Sequence, residues 1–249
     1  MRIRRHPGWL LVVILTATAS CFSFAQSAAQ PAWTGITITH VKPAMRAQYE
    51  KYLKREMAAY RKAGTPWFLT LQTFAGDTTE YTTIVPVMKF ADLDQPAIPA
   101  QVLGPDRWRV LAKKIARCYS GQIVVYATPL TALQISGKEQ PSGLYWLETR
   151  SQPVSGKTNA YISWLKDEYR PAIEKAGVRG FNASIAVFGA AGGEIVSMRM
   201  LKSLSEIDDG SILTRALGAD QARAVSAEGS KLVRSTSTRI LHVRTDLTY

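Results

Sequence analysis

The chain reads AYRKAGTPWF from Ala59 to Phe68 and AIEKAGVRGF from Ala172 to Phe181, nearly the same phrase 113 positions apart. Working outward, AQYEKYLKREMAAYRKAG (Ala47 to Gly64) faces AYISWLKDEYRPAIEKAG (Ala160 to Gly177) at the same spacing. Beyond it, EYTTIVPVMKFADLD (from Glu80) faces EIVSMRMLKSLSEID (from Glu194), now 114 apart. The one-residue change falls at FAGDT against FGAAGG, a glycine turn where insertion costs little. Leu103–Gly104 recurs as Leu217–Gly218, and IVVYATPL at Ile123 faces ILHVRTDL at Ile240. Self-similarity with small gaps confined to turns is the signature of an internal duplication.

Each copy reads in the same order. GITITHV (Gly35 to Val41) is β-branched and predicts a strand. Pro43 suits a first helical turn. Met45, Tyr49, Tyr52, Leu53, Met57 and Tyr60 then recur at threes and fours on one helix face. Gly64 stops that helix. WFLTLQTF and EYTTIVPVMKF predict two strands, Asp106 to Cys118 a second helix, and GQIVVYATP a last strand. The second copy follows with GLYWLETR, a helix carrying Ile162, Leu165, Tyr169 and Ile173, then FNASIAVF, EIVSMRML, a weaker helix over Gly218 to Ser230, and RILHVRT. The order β-α-β-β-α-β is the ferredoxin-like split unit. The expected architecture is α+β: a first ferredoxin-like repeat over 33–130, a linker over 131–143 (TALQISGKEQPSG), and a second repeat over 144–249. Each unit has helices on one sheet face only, so the bare faces are expected to pack together as an intrachain pseudo-dimeric α/β barrel.

Residues 1–25 read as a signal peptide: Arg2, Arg4 and Arg5, an apolar run from Trp9 to Ala19, and a small-residue site ending at Ala25. The run is too short for a membrane span. Cys21 lacks the leucine a lipidation site would place three positions earlier. Export to the periplasm or beyond is therefore expected, with no stable membrane span after cleavage. Removing three arginines takes the formal charge from +12 to +9. The Lys and Arg are dispersed rather than clustered with aromatics, which argues against nucleic acid as a partner. Cys118 alone remains after cleavage, so no internal disulfide forms.

The stretches ITHVKPAMRAQYEKYLKREM (Ile38 to Met57) and EYTTIVPVMKFADLD, with their second-copy counterparts, resemble the dimeric α/β-barrel superfamily in tandem form, near its NIPSNAP, EthD and antibiotic-biosynthesis-monooxygenase branches. That resemblance covers nearly the whole mature chain. It implies a fold shared by cofactor-independent oxygenases, haem enzymes, isomerases and ligand-binding domains, and so leaves the chemistry to the site.

No P-loop, dinucleotide fingerprint, HExxH, GxSxG or paired-cysteine spacing is present. GAAGGE at Gly189 reads as a hairpin turn rather than a phosphate cradle. His40 and His242 are the histidines outside the leader. His40 shares a strand face with Ile36 and Ile38 and aligns with Glu148; His242 aligns with Val125. His40 is the candidate base, against a plain strand-end histidine. Haem is disfavoured, because both histidines fall on strands rather than on pocket-facing helices. Two histidines and one cysteine show no zinc spacing, and neither cofactor nor metal is expected. Aromatic stripes supply core and, in part, a pocket for a planar molecule. Tyr49, Trp67 and His40 are the candidate catalytic residues, and Tyr52, Trp108, Trp146 and Glu148 the candidate ligand contacts. Cys118 reads as a small packing residue. Three functions stay open: a binding protein for a small hydrophobic or aromatic molecule, a monooxygenase-like oxidoreductase without cofactor, and a non-catalytic interaction module.

Overall fold

A computed structural model describes residues 31–136 and 145–249. The expected leader (1–25) and most of the expected linker (137–143) lie outside the described residues.

The first half runs β1 (Trp33–Val41), α1 (Arg46–Lys62), β2 (Leu69–Thr73), β3 (Glu80–Val87), α2 (Ile98–Leu103), α3 (Pro105–Arg117) and β4 (Tyr119–Pro129). The second runs β5 (Tyr145–Pro153), α4 (Thr158–Trp164), a π-helical segment (Leu165–Tyr169), α5 (Arg170–Lys175), β6 (Phe181–Phe188), β7 (Ile195–Leu201), α6 (Ser205–Asp208), α7 (Ile212–Leu217), α8 (Ala219–Ser230) and β8 (Val233–Val243). The weak helix forms despite Gly229, and α2 and α7 are short helices that the periodicity did not show. Gly104 and Gly218 separate the paired helices at φ of 85° and 81°, a conformation that costs L side chains strain.

The strands close into one antiparallel barrel in the order β1-β3-β2-β8-β5-β7-β6-β4. Each half contributes the ferredoxin-like order, and the halves join edge to edge at β2–β8 and β4–β6. The bare faces thus meet as a barrel interior, filled by Ile36, Ile38, Leu71, Val125, Trp146 and Leu241 among others. Helices cover the outside, over one cluster centred on Tyr49, Leu53 and Phe68 and another on Tyr161, Ile173 and Phe181.

Strand register corrects the alignment of the two copies. Thr39 pairs with Tyr81 and Ser151 with Ile195. Tyr81 and Ile195 are 114 apart, so β1 and β5 correspond at 112 and Ser151 answers Thr39. Ile36 pairs with Val125, and Glu148 with Arg239. Glu148 therefore stands where the first half has Ile36, and Arg239 where it has Val125. His40 answers Gln152, not Glu148, and Val125 does not answer His242. Sequence similarity slides here because β1 and β5 are both β-branched or aromatic enough to match at several registers.

The segments following β4 and β8 cross between halves. Leu130 N–H donates to Ala183 O at 2.8 Å and Ile135 bridges Phe181, which buries Leu133 in the second half. In the first half Phe68 and Tyr249 exchange backbone bonds at 3.0 and 2.9 Å over a buried Leu247. Residues 131–136 are thus a packed strap rather than a tether.

Candidate functional site

Comparing the two halves locates a cleft. In the first, Trp108, Leu111 and Ile115 on α3 fill the space between helices and sheet. The residues 114 positions later on α8 are Ala222, Val225 and Gly229. Side-chain volume is lost at all three places. A Cβ on Gly229 would lie 2.5 Å from the Trp164 ring, so the indole occupies the space a side chain there would need. Trp164 Nε1 donates to Val225 O at 3.1 Å, which fixes the ring against α8.

What remains is a cavity of about 230 Å³ between the π segment, α8 and the outer face of the sheet. Tyr161, Trp164 and Tyr169 supply rings, with Leu165 and Val233. Thr149, Ser197, Ser226, Ser230 and Thr236 supply hydroxyls. Trp164 lies 5.5 Å from Tyr161, nearly parallel, and 5.7 Å from Tyr169. Tyr161 donates to Ser151 Oγ at 2.9 Å. Its first-half equivalent, Tyr49, has Thr39, the counterpart of Ser151, acting on its hydroxyl. Burial raises the pKa of both cleft tyrosines and keeps them as neutral phenols.

The π segment explains the ring arrangement. Tyr49 and Tyr161 are 112 apart, whereas Ala59 and Ala172 are 113 apart, and all four are buried. The second copy carries one extra residue within its first helix and absorbs it as a π-turn. Such a turn shifts every following side chain around the axis, and π-bulges gather at functional sites.

The expected site residues do not converge. His40 sits at the barrel mouth, with Nδ1 3.0 Å from Asp77 and Nε2 3.7 Å from Glu80. Trp67 packs against the barrel interior, where Trp146 is buried with no partner for its Nε1 among the described residues. Tyr49, Tyr52 and Trp108 lie on the opposite sheet face, in the first half's outer cluster. Glu148 is 2% exposed inside the barrel and accepts from Arg239 Nε at 3.0 Å and Nη2 at 3.1 Å. Arg239 also bonds Glu80, which takes a 3.2 Å bond from Thr73. Arg150 joins Glu148 at 2.5 Å to Glu194 at 3.4 Å. This ionic array spans the β2–β8 seam and reads as a clamp between halves. His242 faces outward beside Tyr145, at 5.3 Å. Cys118 is buried and donates to Lys114 O at 3.2 Å, and burial raises its thiol pKa.

Gly229 and the hydroxyls of Thr149, Ser197 and Ser226 are site features that motif reading missed. The readable signal is the loss of bulk between the two second-helix stripes. Among the described residues no group of three or more His, Cys, Asp or Glu could hold a metal ion, and no helix is long and apolar enough to cross a membrane. An iron porphyrin needs an axial side-chain ligand. Among the described residues no His, Cys or Met lines the cleft, and its tyrosines are held in the neutral form that ligates iron poorly. The cleft does not fit a ligated haem.

No family model and no curated protein matches the chain. Solved structures do. A monooxygenase-like protein from Lactobacillus acidophilus NCFM shares 11% identity over 88% of this chain and 96% of its own, with a TM-score of 0.62. An anthrone oxidase-like protein shares 12% over 87% and 92%, at 0.60. A mutant chlorite dismutase from Candidatus Nitrospira defluvii shares 12% over 88% and 94%, at 0.55. The chain has the dimeric α/β-barrel fold.

Proposed function

We propose that the protein is exported and binds a small, flat aromatic molecule in the second-half cleft. The observation that carries this is the replacement of Ile115 by Gly229 in the matching helix, with Trp164 drawn into the vacated space. An apolar cleft with a few placed polar groups is the usual form of a small-molecule site. Its modest volume favours one or two fused rings, and its hydroxyls would orient them. The leader sequence supports export.

Titration of the exported protein with 2-naphthol, followed by tryptophan fluorescence and thermal stabilisation, tests the reading. Binding in the millimolar range or tighter is expected, and Gly229→Val is expected to weaken it about tenfold, or ~1.4 kcal/mol. Failure of a broad panel of aromatic and lipid-like compounds to stabilise the protein would remove this function.

A second reading, oxidation of an aromatic substrate without a cofactor, is favoured by the monooxygenase-like and anthrone oxidase-like neighbours. In that reading Tyr161, Trp164 and Tyr169 surround the substrate, while His40 and Trp67 lie across the sheet from it. Oxygen uptake with a quinol-type substrate, lost in Gly229→Val, would support it.

A further inference from the structure

A buried cation lies beside the cleft, and the binding of a neutral aromatic ring gives it no role. Arg199 lies on the helix-facing side of β7, two residues from the cleft-lining Ser197, between Phe181 on β6 and Leu147 on β5. It is 6% exposed, and its Nε has no hydrogen-bond partner among the described residues. Its Nη1 makes a long 3.4 Å bond to Glu206. That carboxylate is also 4.0 Å from Arg215 and accepts the Lys202 N–H at 2.5 Å, while Arg215 lies 3.1 Å from Asp209. A guanidinium between a leucine and a phenylalanine is costly to bury, and one long ion pair to Glu206 leaves its Nε unsatisfied among the described residues. The first half has Val85 at the matching position, 114 residues earlier. The buried cation therefore occurs in the same half that lost its filling.

Tyr169 connects Arg199 to the cleft. Its ring packs against Trp164 and lies 5.8 Å from Phe181, the register neighbour of Arg199. Burial raises the pKa of its hydroxyl and Tyr161 adds to that, so it stays a neutral donor, while the positive charge of Arg199 acts on it in the opposite sense.

We propose that Tyr169, backed by Arg199, is the polar anchor of the cleft, and that the ligand is an aromatic molecule held there through an ionised phenolic or enolic oxygen. This rests on the aromatic reading of the cleft. The Tyr169 hydroxyl donates to the ligand oxyanion, and the guanidinium behind it supplies the countercharge. Charge-assisted bonds are about twice as strong as neutral ones, and more so where water is excluded. Arg199 is a positioning residue, because it acts through Tyr169.

The test uses two probes on the whole protein: 4-nitrophenol, which ionises near neutrality, and 4-nitroanisole, its methyl ether, which cannot ionise. Affinities are read by tryptophan fluorescence near pH 5 and near pH 9. Glu206, Arg215, Asp209 and Tyr161 also face the pair, and the ether corrects for their titration. We expect 4-nitrophenol to bind about tenfold tighter at the higher pH and the ether to bind equally at both. Arg199→Met should reduce the preference to about twofold or less while leaving the ether's affinity in place, which also reports that the cleft is intact. Arg199→Lys should keep most of it. A preference that survives Arg199→Met overturns the proposal, as does a wild-type protein that binds the ether and shows no preference. If neither probe binds the wild type, the aromatic reading of the cleft falls and this proposal with it.

Discussion

Glu56 shows how one residue can be legible in position and hidden in character. The 3–4 spacing of α1 puts it between Tyr49 and Tyr60, on the stripe that faces the sheet. It is half-buried with no partner for its carboxylate among the described residues, and burial raises its pKa from 4.5 to about 7. Below pH 4.5 the group is neutral in both folded and unfolded chains and costs nothing. Between 4.5 and 7 the unfolded chain releases the proton that the native state keeps, so stability falls as pH rises. Above 7 the penalty is constant, at no more than about 3 kcal/mol. Glu56→Gln should therefore match the wild type in urea unfolding near pH 4 and exceed it by roughly 2 kcal/mol near pH 8. Equal stability at the higher pH would show that the carboxylate is solvated. Sequence alone gives the stripe but not the missing counter-charge, because partners come from other elements. Trp108 and Tyr52 are legible in the same way, as aromatic positions, and the structure makes them packing residues of the first half.

At the scale of elements, the paired phrases reveal both halves because local periodicity and turn residues are written within each segment. The gap at the β2–β3 turn is also readable there, since the offset passes from 113 to 114 at FAGDT. The extra residue inside the second copy's helix is not. An alignment anchored on AIEKAG holds its register backward through the helix, and only burial of Tyr161 and Leu165 shows the slip to 112. The cleft depends on that slip. Deleting the exposed Asp167 should let the segment rewind as a regular α-helix, turning Tyr161 and Trp164 about 100° relative to α5. We expect the deletion variant to keep its far-UV circular dichroism and a cooperative melt but to lose 2-naphthol binding. Full binding would mean that the π-turn is incidental to the site.

For the whole molecule, the duplication predicts that two sheets face one another, and they do so as a closed barrel with shared seams. The barrel interior is not symmetric. Ile36, Ile38 and Val125 of the first half are answered by Glu148, Arg150 and Arg239 of the second. Strand patterning could not reveal this ionic array, because similarity aligns β1 and β5 four residues out of register. Arg239 reaches Glu148 in its own half and Glu80 in the other, across the β2–β8 seam. Removing one member of a buried array leaves the others charged without compensation, at a cost of about 3–5 kcal/mol. Arg239→Met should therefore destabilise the protein by that amount in urea unfolding. Glu148→Ile with Arg239→Val, which writes the first half's residues into the second, should cost clearly less than the single change, since Arg150 keeps Glu194 and Glu80 keeps Thr73. Tryptophan fluorescence and circular dichroism should lose signal together in the wild type, because the clamp and both crossing straps tie each half to the other. If Arg239→Met separates those transitions, the array couples the halves. If the double variant is no better than the single, the cost comes from lost packing, and the carboxylates are not the reason for the arginine.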